Sequence, residues 1–168
     1  MASDDVNKLI MALTRVNPET NEMIMNIANS TTKSEIISLF NQSALDFFST
    51  VLEITKKLGK EKEFGIGVYM NLFESTLKIN VNLPIDQFAA SILEFAPDIY
   101  AENEDCFLNM QIPDAKVKTG NEFNIIRSEK FKALWISGSP ENKNIVKEKI
   151  ISLTTFCHAY FFQLIVNK

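Results

Sequence analysis

The sequence predicts an all-α protein, one helical bundle of 168 residues packed around a long, buried C-terminal helix. Two observations carry this. The stretch Pro140 to Val166 reads as a single helix that is apolar nearly all round. Elsewhere, short apolar runs at helical spacing alternate with capping and breaking residues, and there is no repeat, low-complexity tract or long linker to divide the chain.

In the terminal stretch, Ser139 is a suitable N-cap, Pro140 sits at the first helical position and Glu141 complements the positive helix end. Val146, Ile150, Leu153, Cys157, Tyr160 and Leu164 recur at steps of four and three, so they share a face. From Ile150 a second face is apolar too, through Ile151, Phe156, Phe161, Phe162 and Ile165. A helix apolar on several sides is one that neighbours cover on several sides.

The remaining elements follow in order. Ser3 can cap a helix from Asp4 to about Val16, with Val6, Leu9, Ile10 and Leu13 as a narrow stripe that Asn17-Pro18 stops. Glu19 to Asn29 suits a second helix, with Met23, Ile24, Ile27 and Ala28 inward. Thr32 and Glu35 have capping-box spacing before a long helix from about Lys33 to Leu58, with a bend near Asn41. Its apolar positions are Ile36, Phe40, Leu45, Phe48, Leu52 and Ile54, and Leu58-Gly59 closes it. Residues 64–83 read two ways. Alternation from Phe64 to Leu72 and from Leu77 to Leu83 allows a small hairpin, while Val68, Leu72, Thr76 and Ile79 line up on a helix. Helix is preferred, because an isolated hairpin has no other sheet to join. Pro84 opens a helix from Ile85 to Phe95 that Ala96-Pro97 ends, and Asp98 to Met110 forms one or two short helices. Pro113 to Asn124 is a surface loop, and Ser128 caps a short helix holding Phe131, Leu134 and Trp135.

Composition bounds the function. Hydrophobic content of 46% and charged content of 23% are ordinary for a soluble protein, and a net charge of −4 argues against general binding to nucleic acid or anionic membranes. The start, Met1-Ala2-Ser3-Asp4-Asp5, lacks the basic and apolar stretches of a signal peptide. The apolar run near Phe156 to Val166 is short for a bilayer and holds His158 and Gln163, so no membrane span is expected. Cys106 and Cys157 are expected as free, buried thiols in a reducing, cytoplasmic setting. Lys greatly outnumbers Arg, which occurs only as Arg15 and Arg127, and Asn, Ile and Phe are frequent; this usage fits an A/T-rich genome.

Chemical motifs are sparse. Cys157 and His158 are neighbours on a helix, so their side chains point about 100° apart and share a reacting atom poorly. One histidine and two distant cysteines lack zinc-site spacing. Gly65-Ile66-Gly67 lacks the rest of a phosphate-binding loop. Asp98, Glu102, Glu104 and Asp105 form an acidic cluster, readable as a solvated face, the footprint of a basic partner, or paired carboxylates of an unfamiliar enzyme. Lys56, Lys57, Lys60 and Lys62 form a basic patch without interleaved aromatics, the pattern of a solvated helix end. The pairs Phe47-Phe48 and Phe161-Phe162 each look in two directions, so at least one member of each meets a second layer, either the core or another protein. These aromatics and the four acids are the interface candidates. No catalytic residue, cofactor or metal is implied.

The second half of the chain resembles uncharacterised small helical proteins of nucleocytoplasmic large DNA viruses. The resemblance rests on Pro84-Ile85-Asp86-Gln87-Phe88, Phe95-Ala96-Pro97-Asp98-Ile99, Asp105-Cys106-Phe107, Trp135, and Pro140-Glu141-Asn142-Lys143 before an apolar terminal helix. It implies a small virus-encoded protein of the infected cytoplasm or the particle, with a structural or protein-interaction role through protein partners or self-association. A viral Bcl-2-like bundle, gripping a host helix in an apolar groove around the central helix, is the alternative non-enzymatic expectation.

Overall fold

The computed structural model describes residues 3–109, 126 and 129–166. Its helices are α1 (Ser3–Thr14), α2 (Pro18–Ser30), α3 (Lys33–Lys57), α4 (Glu61–Phe64), α5 (Ile66–Ile79), α6 (Leu83–Ile92), α7 (Ala96–Tyr100), α8 (Glu104–Asn109), α9 (Glu129–Ser137) and α10 (Pro140–Val166), with a 3-10 turn at Leu93–Phe95. No strand occurs among the described residues. One continuous cluster of buried side chains takes members from every helix. The loop expected at 113–124, the cap Ser128 and the side chain of Ser3 lie outside what is described.

Helix α10 is the post of this bundle. Ser139 Oγ accepts from the Asn142 amide at 3.1 Å and starts it. Its closest neighbours are α3 and α2, followed by α6, α7 and the 3-10 turn. Ile150, Leu153, Cys157, Tyr160 and Phe161 are almost fully buried, while Ile151, Phe156, Phe162 and Ile165 are half-buried against the same cluster. By length and composition α10 can cross a membrane, being longer than its C-terminal apolar run. Half of the qualifying window is buried inside the protein.

Thr32 caps α3 as expected, accepting from the Glu35 amide at 3.2 Å, and Asn17, expected only to stop the first helix, also caps α2 by accepting from the Glu19 amide at 2.8 Å. Helix α3 runs unbroken through Asn41, whose amide donates to the Val81 carbonyl at 3.1 Å. It ends in a Schellman turn, with Gly59 in the left-handed region, the Gly59 amide on the Lys56 carbonyl and the Lys60 amide on Thr55.

Residues 64–83 form no hairpin. They continue as the end of α4 and the whole of α5, joined at Gly65 with φ of 61°. The helical face differs from the one the spacing suggested. Ile66 and Phe73 are buried, while Val68 is 64% exposed and Ile79 is 80% exposed. Aliphatics occur on both sides of α5, so periodicity alone selected the wrong side. Pro84 lies in the first turn of α6 as expected, but that helix gives way to the 3-10 turn at Leu93, and Pro97 opens α7 where it was expected only to end its predecessor. Proline is tolerated in a first turn because its missing N–H has no intrahelical acceptor there.

Burying one residue in the middle of α10 and leaving another exposed near its start gives a direct comparison. Ile150→Ala is expected to lower unfolding stability by about 2–5 kcal/mol, and Ile145→Ala, at a site 42% exposed, by less than about 1 kcal/mol, as read by urea titration.

Candidate functional site

The aromatic interface candidates are mostly core. Phe47, Phe48 and Phe161 are each no more than 3% exposed. Phe47 meets Phe131 at 6.5 Å between ring centroids, and Phe48 meets Phe73 at 5.5 Å. Phe47 and Phe48 form no docking surface, because the second layer they look toward is α9 and α5 of the same chain, and Phe161 is buried in the same cluster. Phe162 is half-buried and lies 4.5 Å from the His158 ring.

The four acids are exposed. Two reach along α10. Glu102 pairs with Lys147 at 3.3 Å, and Glu104 with Lys143 at 3.1 Å. Those lysines are one turn apart on α10, so both point at the same strip of the surface. The Trp135 indole N–H also donates to Glu104 at 3.0 Å. Bonds from Lys143 and Trp135 hold the Glu104 carboxyl below the usual carboxylate range. Glu102 adopts φ of 58° at the end of α7, where its amide bonds the Ile99 carbonyl and the Asn103 amide bonds Asp98. That is a Schellman turn with glutamate where glycine is favoured. Asp98 and Asp105 sit beside this turn.

His158 and Cys157 belong to the interior. His158 is 0% exposed. Its Nδ1 shares a hydrogen bond with Tyr100 Oη at 3.1 Å, and its Nε2 is buried without a hydrogen-bond partner among the described residues. Burial pushes its pKa down to about 4. Burial raises the Cys157 thiol well above its ordinary value, with Asp86 adding to the effect, and raises Cys106 to about 12. Thiols so held stay protonated and poorly nucleophilic at neutral pH. Tyr160 donates to Asp86 at 2.6 Å, and burial, reinforced by that bond, raises its pKa. No group of three metal-ligating side chains occurs among the described residues.

Open concave surface lies elsewhere, on both sides of the first turns of α3. A groove of about 550 Å³ runs between α3 and the α5–α6 connection, lined by Ile37, Asn41, Leu45 and Val81 among others. Its walls are mainly apolar, and Val81 at its edge is 56% exposed. A second cup of about 480 Å³ lies at the α2–α3 junction over Gln163. The groove unites residues about 40 positions apart, which periodicity cannot join. The one visible signal was Ile79-Asn80-Val81, two aliphatics beside a turn.

The fold thus defines a small all-α protein organised around one buried helix. No protein-family model and no solved structure matches the chain. It is 42% identical over 164 residues to uncharacterized protein R465 of Acanthamoeba polyphaga mimivirus, covering 98% of this chain and 91% of that one. The chain belongs to the family of that viral protein. The likeness to large-DNA-virus proteins therefore extends from the second half to nearly the whole length.

The buried histidine makes stability depend on pH. Its folded pKa is depressed from 6.5 to about 4, so the unfolded chain binds the proton more readily. The histidine's contribution is complete above pH 6.5 and is lost as pH falls toward 4, to a total of about 3 kcal/mol. Replacing His158 by Asn, which does not titrate, is expected to flatten this part of the stability–pH curve in chemical denaturation.

Proposed function

We propose that this chain is a non-enzymatic helical protein of a large DNA virus that works by binding other proteins, as a minor component of the particle or a factor associated with its capsid. One observation carries the reading. The histidine, one of the cysteines and two of the four clustered acids are committed to the fold: His158 and Cys157 lie in the core, and Glu102 and Glu104 are paired along α10. Membership of a mimivirus family supports the viral setting. Expected partners are proteins or further copies of the chain, in the infected cytoplasm or the particle.

The groove between α3 and the α5–α6 connection favours a second reading, a bundle that grips an amphipathic helix from the host. Its apolar lining and open mouth suit such a helix. It is flanked by α3 and not by the central α10, so its layout differs from a groove built around the buried helix.

Mass spectrometry of purified virus particles is expected to detect the chain at constant ratio to capsid protein; its consistent absence would refute the particle assignment. An enzymatic role is tested separately. Joint replacement of Asp98, Glu102, Glu104, Asp105 and His158 by alanine is expected to leave virus yield unimpaired where folding is retained. A folded variant that abolishes yield while still binding the same partners would place chemistry in these residues.

A further inference from the structure

We propose that α7, α8 and the turn between them form an acid-released clasp on α10, which detaches while the rest of the bundle stays folded. Three polar links tie this segment to α10. Tyr100 Oη meets His158 Nδ1 at 3.1 Å, Glu102 meets Lys147 at 3.3 Å, and Glu104 meets Lys143 at 3.1 Å. The first of them needs a neutral histidine, because the ring is buried, so a proton on His158 breaks it and leaves only the two surface ion pairs.

The segment is also poorly able to stand alone. α7 has five residues and α8 six, too few for a helix to hold itself in water. The turn joining them places Glu102 in the left-handed region, which disfavours a residue with a side chain. Ala96, Ile99, Cys106 and Phe107 are its buried anchors. By contrast, α3 and α2 hold α10 largely through apolar contact and through Gln163, whose amide donates to the Ala28 and Thr31 carbonyls at 3.0 and 2.6 Å. Amide-to-carbonyl bonds do not titrate in this range.

No neighbouring charge compensates a proton on His158, and burial is the cause that lowers its pKa. From α7 the facing group is the Tyr100 hydroxyl, itself held protonated by burial. From α6, Asp86 is engaged by Tyr160. On the 3-10 turn, Glu94 pairs with Lys8 of α1 at 2.7 Å. From α3, Asp46 pairs with Lys149, and Lys33 lies over the Tyr160 ring. On α2 the acids Glu19 and Glu22 are exposed. A buried imidazolium therefore gains its solvation by lifting the segment that covers it.

Hydrogen exchange read by mass spectrometry, corrected for intrinsic rates, tests this at pH 7, 5.5 and 4.5. Peptides covering residues 96–109 are expected to lose protection on the order of 100-fold between pH 7 and 4.5 and, at each pH, to be far less protected than those from the middle of α3, which exchange only through global unfolding. Emission of Trp135, the sole tryptophan, is expected to shift to the red in step, because it stacks on Phe107 at 4.7 Å and bonds Glu104. His158→Asn should remove most of the acid response. Should that variant fail to fold, Tyr100→Phe should loosen residues 96–109 already at pH 7. The clasp is refuted if residues 96–109 and the middle of α3 show the same protection at every pH, as a single global opening would give. It is equally refuted if folded His158→Asn responds to acid as the parent does, or if Tyr100→Phe leaves protection at pH 7 unchanged.

Discussion

Polar side chains on the buried face of α10 impose the constraint on which the rest of the fold depends. Apolar burial drives the helix inward, but that force has no direction. Thr154, His158, Tyr160 and Gln163 go inward with it, and a polar group withdrawn from water must find a partner or destabilise the core. Thr154 turns back on the Ile150 carbonyl at 2.8 Å. The others reach outward, each to a different neighbour: Gln163 to the α2–α3 junction, Tyr160 to α6, and His158 to α7. These contacts fix the rotation and height of α10 within its surroundings, which apolar contact alone leaves loosely specified.

Charged pairs continue the same arrangement along the more exposed part of the helix. Lys149 meets Asp46 of α3, Lys147 meets Glu102, and Lys143 meets Glu104. Surface pairs of this kind contribute little to stability individually. Their value lies in placement: they bring the α7–α8 turn against α10 although few apolar side chains of that turn reach it. Two of the four acids that cluster in the sequence, Glu102 and Glu104, are thus tied to α10 in three dimensions.

Much of the fold was legible because capping and periodicity are local. Ser139 and Thr32 start helices as their residue types dictate, and the inward positions of α9 and α10 follow from spacing. Reading failed where two faces of one helix were both apolar. In α5, Val68 and Ile79 fit a stripe yet face water, because the side that packs is chosen by α3 and α6. The same ambiguity placed Phe47, Phe48 and Phe161 among interface candidates when they fill the core. Sites were less legible still. The pairing of Glu102 and Glu104 with α10, and the groove that joins Ile37 to Val81, depend on contacts across some 40 residues of chain. Nothing in the spacing of any single segment encodes them.

Enclosure of α10 is open to one simple measurement. Cys157 lies at mid-helix and is 0% exposed, so its thiol reports directly on whether that helix is enclosed. In a Cys106→Ser background at neutral pH, the account predicts that a thiol reagent modifies Cys157 only at the rate of global unfolding, and rapidly once urea unfolds the chain. Rapid modification of Cys157 in the folded protein would contradict it, because α10 would then lie open to water and could not be the post around which the bundle is built.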